Sequence, residues 1–176
     1  MEKHKIIESK TMFNGNVFEA KVENIILPNG KQAMREVIIH RGGASVVAIY
    51  KNNFVLVRQY RHAAQSYVLE IPAGIVEHGE SPITCAEREL KEETGFSTSN
   101  ISHLITMYKS IGYNTEKHSI FLAQDLTEGK QNLDPDEDID IHLIPINDVI
   151  KMIFSGEIYD SKTIAGVLAY REKYRS

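Results

Sequence analysis

Gly74-Ile75-Val76-Glu77-His78-Gly79-Glu80-Ser81-Pro82-Ile83-Thr84-Cys85-Ala86-Glu87-Arg88-Glu89-Leu90-Lys91-Glu92-Glu93-Thr94-Gly95-Phe96 crowds carboxylates between two glycines. Ser81-Pro82 supplies an N-cap followed by a proline at the first helical position, and Gly95 suits the left-handed position that follows a helix. The spacing therefore predicts a helix over this span, with Ile83, Ala86 and Leu90 as its apolar stripe. On such a helix Glu89, Glu92 and Glu93 stand at i, i+3 and i+4, so three carboxylates share one face. Like charges at that spacing disfavour a helix unless something positive offsets them. Arg88 can pair with Glu92 at i+4, but one guanidinium does not neutralise the cluster. Hard divalent cations take oxygen ligands, and Mg²⁺ is commonly held by one or two carboxylates plus water and phosphate oxygens. The competing explanation of a lone Glu-Lys-Glu-Glu run is a solvated acidic helix face.

The wider pattern decides between the two. It resembles the Nudix box: Gly, five residues, Glu, seven residues, Arg-Glu, an apolar residue, any residue, Glu-Glu, any residue, Gly, then an apolar residue. Every specified position is matched here. Seven fixed residue types at roughly 6% background usage each match by chance with a frequency of about 10⁻⁹. The resemblance implies an α/β fold, a Nudix-type α/β/α sandwich around a mixed sheet. It also implies that Glu89 and Glu93 are the principal ligands of Mg²⁺, with Mn²⁺ able to substitute. Glu92 is then a ligand or an orienting group, Arg88 positions the carboxylates, and Glu80 braces the loop ahead of the helix.

The flanks carry the substrate argument. Val57-Arg58-Gln59-Tyr60-Arg61 and Leu69-Glu70-Ile71-Pro72-Ala73-Gly74 resemble the ADP-ribose pyrophosphatase branch of that family. The likeness implies that the Ala73 carbonyl is a third protein ligand and that Arg61 contacts a diphosphate. Residues two apart on a strand face one side, which groups Gln59 with Arg61 and turns Arg58 away. Ser110 to Glu116 resembles the branch's Ser-Pro-Gly loop, with Ile111 in place of the usual proline. In the acidic loop Asp134-Pro135-Asp136-Glu137-Asp138, read from composition alone as a solvated turn, Glu137 matches the glutamate that serves the branch as catalytic base or as an additional metal ligand, with Glu116 as the alternative. The same likeness makes Glu36 of the N-terminal region the candidate for accepting from an adenine amino group. The resemblance thus implies hydrolysis of ADP-ribose to AMP and ribose 5-phosphate. GDP-mannose or another nucleoside diphosphate sugar is the alternative substrate. A regulator that binds a nucleotide without hydrolysing it is the alternative class, against which the intact box argues.

The rest of the 176 residues fits this frame. The makeup is 42% hydrophobic and 25% charged, as in one ordinary globular domain that needs no disulfide or structural metal. A net charge of −4 without a long basic block argues against nucleic acid as a partner. No apolar run is long enough to span a membrane and no signal-type core follows the first residues, so a cytoplasmic home is expected. Cys85 has no Cys or His partner at zinc spacing and reads as a small apolar helix residue.

Strand-like runs at Phe18 to Leu27 and Met34 to His40 flank the turn Pro28-Asn29-Gly30. They predict an N-terminal antiparallel β-ribbon over residues 1–42, with the Nudix domain over 43–176. Members of the branch are commonly homodimers through such a ribbon, and Phe18, Ala20, Val22 and Ile25 are compatible with that use. Further strands are predicted at Ala44 to Tyr50, Phe54 to Tyr60, Tyr67 to Ile71, Ile101 to Tyr108, Ser119 to Gln124 and Ile139 to Ile146. Two last helical pieces, Val149 to Phe154 and Lys162 to Tyr174, are separated at Ser155-Gly156.

Overall fold

The computed structural model describes residues 3–135 and 137–174, so Asp136 of the acidic loop lies outside the described residues. Two compact units emerge, one of Met1–Gly42 with Tyr108–Lys117, the other of Gly43–Met107 with His118–Ser176.

The first unit is an antiparallel sheet of β1 (Lys5–Asn14), β2 (Phe18–Ile26) and β3 (Gln32–His40), in that order. The β2–β3 register runs without a shift from Phe18 opposite His40 to Ile26 opposite Gln32. The turn between them is closed by the Gly30 N–H donating to the Leu27 carbonyl at 2.9 Å, with Gly30 at a φ of 79° that favours glycine. β1 was not among the predicted strands. Every residue in it is exposed, so it lacks the alternation that marks a half-buried strand. Residues 108–117, expected within the 43–176 domain, join this unit for a backbone reason: the Ile38 N–H donates to the Tyr113 carbonyl at 2.7 Å, and the Thr115 N–H to the Ile38 carbonyl at 2.9 Å.

The second unit is built on a mixed sheet. Its elements are β4 (Gly43–Tyr50), β5 (Asn53–Arg61), β6 (Ser66–Glu70), β7 (Ala73–Ile75), α1 (Pro82–Thr94), β8 (Asn100–Tyr108), β9 (Lys117–Gln124), β10 (Ile139–Pro145), α2 (Ile146–Ser155) and α3 (Ser161–Lys173). The order across the sheet is β10-β5-β4-β9-β8, with β6 paired to β5 and β7 to β4. β4 and β9 are parallel, whereas β5 pairs antiparallel with β4 and β10.

The period-two alternation of the central strands divides two cores. Ala44, Val46, Ala48, Val55, Phe121 and Ala123 pack with Cys85, Ala86 and Leu90 of α1. Val47, Phe54, Leu56, Ile120 and Leu122 pack with Val149 and Ile150 of α2 and Val167 of α3. Both faces of the sheet are thus covered by helices, the α/β/α sandwich expected. Full burial of one such aliphatic side chain contributes about 1.5–3 kcal/mol. α3 lies close against the sheet at Gly166, where a Cβ would come within 2.9 Å of Val47 Cγ2.

Candidate active site

α1 begins and ends on the predicted signals. The Ser81 hydroxyl accepts from the Thr84 N–H at 3.3 Å, and Gly95, at a φ of 73°, closes the helix through its N–H to the Lys91 carbonyl at 2.8 Å. The buried stripe differs from the expected one at its start. Ile83 is exposed and Cys85 takes the inward place, its thiol pushed up to about 12 by burial first and by Glu80 and Glu89 next. A thiol held neutral in this way is not a nucleophile.

The buried face of α1 includes Glu89 and Glu93, with relative exposures of 9% and 2%, while Glu92 is half-buried. Glu93 Oε2 accepts from the Ala73 N–H at 2.9 Å. Glu89 lies against Gly74, where an added Cβ would sit 1.7 Å from Glu89 Oε1, so only glycine leaves room for that carboxylate. Arg88 binds three carboxylates. Its Nε donates to Glu80 Oε1 at 3.0 Å, and its Nη1 donates to Glu89 Oε1 at 2.6 Å and to Glu92 Oε2 at 3.0 Å. Glu80 in turn accepts from the Glu77 N–H at 2.9 Å, which ties the loop to the helix.

One arginine for so many acids leaves negative charge in excess. Burial pushes the Glu93 carboxyl up to about 8, with the Ala73 N–H opposing and the charges of Glu89 and Glu137 adding. Glu89 is also raised, by burial first, against the opposing Arg88 and with Glu92 and Glu137 adding. Glu137 is exposed and receives the Asp134 N–H at 3.0 Å, and its charge acts on both α1 carboxylates.

Among the described residues no group of three or more His, Cys, Asp or Glu side chains converges as a preformed metal cage. The physical reason is visible in the partners, since Arg88 takes one oxygen of Glu89 and the Ala73 N–H takes one of Glu93. The donor set nonetheless fits a hard divalent cation: oxygen-only, two buried carboxylates one helical turn apart, and a side-chain-free backbone at Gly74 beside them.

Arg61, at the end of β5, makes a two-pronged pair with Glu70, Nε to Oε1 at 2.6 Å and Nη2 to Oε2 at 2.7 Å. Arg58 turns elsewhere and stacks its guanidinium over the Tyr67 ring at 4.4 Å from the centroid. Glu70 also pairs with Lys162, which pairs with Asp160 at 3.0 Å. The sequence placed Glu70 in the stretch Leu69 to Gly74 that resembles the branch but assigned Glu70, Asp160 and Lys162 no role; a further local signal for Asp160 is the Asp-x-x-Thr spacing at the start of α3. Glu36 and Glu116 stand in the first unit. Glu36 lines a cavity of about 310 Å³ there with Met12, Ala20, Lys21 and Tyr113. Glu116 pairs with Lys109 at 3.9 Å.

Comparison with known proteins agrees with this fold. The NUDIX domain family matches residues 39–165. The chain is 37% identical over 162 residues to the ADP-ribose pyrophosphatase of Bacillus subtilis (strain 168), covering 90% of this chain and 88% of that protein. It is also 37% identical over 166 residues to the methanol dehydrogenase activator of Bacillus methanolicus, covering 93% and 90%. Among solved structures, an ADP compounds hydrolase superposes with a TM-score of 0.87 at 24% identity over 98% of this chain and 94% of that one, a likeness of fold. With the box intact, the sandwich formed and the family matched across most of its length, this chain belongs to the Nudix hydrolase family.

Proposed function

We propose that the protein hydrolyses the diphosphate bond of a nucleoside diphosphate sugar in the presence of Mg²⁺, with ADP-ribose as the leading substrate and AMP and ribose 5-phosphate as products. The observation that carries this reading is the burial of Glu89 and Glu93 against the Ala73-Gly74 backbone, with negative charge in excess of what Arg88 balances. The 37% identity to a relative named as an ADP-ribose pyrophosphatase supports the substrate.

Glu89, Glu93 and the Ala73 carbonyl would hold Mg²⁺ or Mn²⁺, with Glu92 as a further ligand or orienting group. When bound, the cation supplies neutralisation of the diphosphate oxygens and a template for in-line attack. Arg88 keeps the acids from splaying through its bonds to Glu80, Glu89 and Glu92. Glu137 takes a proton from the attacking water as the new P–O bond forms and the bridging P–O bond breaks. Arg61 steadies the diphosphate by its charge. The protein acts as a cytoplasmic homodimer through its N-terminal sheet, where Met12, Phe13 and Phe18 are exposed. Among the described residues no helix is long and apolar enough to cross a membrane.

A panel of ADP-ribose, GDP-mannose, UDP-glucose, NADH and diadenosine polyphosphates with Mg²⁺ tests the reading by released phosphomonoester. ADP-ribose should show the highest kcat/KM. A preference for GDP-mannose would replace the substrate. Tight binding without turnover of any member would favour a regulator, the reading to which the activator-named relative lends interest.

A further inference from the structure

We propose that Lys162 is a positioning residue which, through Glu70, fixes the Arg61 guanidinium beside the carboxylate site. The inference rests on the reading above only for its kinetic consequence.

Four charges of alternating sign run in a line from the start of α3 to Arg61. Asp160 caps α3, its Oδ2 accepting from the Thr163 N–H at 2.9 Å and the Thr163 hydroxyl at 2.6 Å. The Lys162 ammonium donates to Asp160 Oδ2 at 3.0 Å and to Glu70 Oε2. Glu70 holds Arg61 with both oxygens. The side chains of Lys162, Glu70 and Asp160 are 4%, 3% and 15% exposed, whereas Arg61 is 42% exposed. Lys162 is therefore shut away from any ligand, and Arg61 is where the line reaches solvent. Glu93 lies near enough for its charge to act on Arg61. The same helix start also reaches the loop of the site, because the Thr163 hydroxyl accepts from the Ile71 N–H at 2.9 Å, two residues before Ala73.

This arrangement costs more desolvation than an apolar plug of equal volume, so stability alone does not account for it. What it supplies is geometry. A planar guanidinium bound through Nε and Nη2 has its plane fixed. Among the described residues nothing accepts from Nη1, which remains for a diphosphate oxygen. Without Lys162, one Glu70 oxygen and Asp160 lose their shared cation, and the Glu70 carboxylate is free to turn and release the fork.

The experiment combines Lys162→Met, Arg61→Ala and the double variant, with Glu70→Gln as a second way to break the line should Lys162→Met fail to fold. In an ¹⁵N-edited NMR spectrum of the whole protein, the Arg61 Nε–H signal, identified by its loss in Arg61→Ala, should be sharp in the wild type. It should shift and broaden in Lys162→Met and in Glu70→Gln. In ADP-ribose hydrolysis, Lys162→Met should raise KM about tenfold and leave kcat within about twofold, the size expected for one misplaced charge-assisted hydrogen bond. In the Arg61→Ala background the same substitution should add nothing. An unchanged Nε–H signal, or effects on KM that multiply in the double variant, would overturn the proposal. A wild type that turns over no substrate would remove the functional reading instead, and the NMR result would still decide whether Lys162 fixes Arg61.

Discussion

Glu93 and Gly74 carry the sharpest consequences of the site. Glu93 is almost wholly buried, and without a cation its carboxyl is pushed up to about 8. Glu93→Gln should therefore lower turnover by at least about 10²-fold while leaving the thermal midpoint of the metal-free protein level or higher, since an amide replaces an acid that must take up a proton to be buried. Near-normal rates in that variant would exclude Glu93 from the metal shell. Gly74→Ala tests the same geometry from the other side. Its Cβ would sit 1.7 Å from Glu89 Oε1, and Gly74 is not among the glycines with positive φ, so the effect would come from displacing the carboxylate. The Mg²⁺ concentration for half-maximal activity should rise about tenfold or more, and an unshifted activation curve would show that Glu89 does not ligate from its present place. These residues were legible because box spacing is local, a matter of helical turns along one chain. Glu70 and Lys162 were not, since their meeting is set by packing between segments 92 residues apart.

The elements differ in how much they disclosed. α1 was readable from its serine cap, proline and terminal glycine, and the central strands from their continuous apolar runs. β1 was not, because a strand exposed along its whole length has no burial pattern to print on the sequence. α3 gives an element-scale prediction. Asp160 caps its first turn and also balances Lys162, so Asp160→Ala should cost about 1–3 kcal/mol in urea unfolding, and a loss within error of zero would contradict the cap. The pH dependence follows from the same group of charges. Burial disfavours ionisation of Glu70, but the hydrogen bonds from Arg61 and the charge of Lys162 outweigh it and hold the carboxyl below its ordinary 4.5. Asp160 is likewise held below 3.8, against burial, by Lys162 and Thr163. Carboxylates more acidic in the folded than in the unfolded chain stabilise fully above the unfolded values and lose that contribution as pH falls toward the folded ones. Stability should therefore drop below about pH 4.5, and Asp160→Asn should flatten part of that drop. A wild-type curve that is level through this range would contradict the network.

At the scale of the molecule, the α/β/α sandwich was foreseeable from strands interspersed with helices and from the family likeness of the box. The membership of Tyr108–Lys117 in the first unit was not, since it depends on backbone bonds to β3 that no side-chain pattern announces. If the N-terminal sheet joins two copies, Phe13→Asp should shift sedimentation from dimer to monomer, and a monomeric wild type would remove the dimer. The central claim, that the acids of α1 exist to hold a hard cation, is tested most directly by Mn²⁺ titration followed by electron paramagnetic resonance. The wild type should bind Mn²⁺ and bind it more tightly with ADP-ribose present, while Glu89→Gln/Glu93→Gln should leave the Mn²⁺ signal free. Equal binding by the wild type and the double variant would contradict the claim.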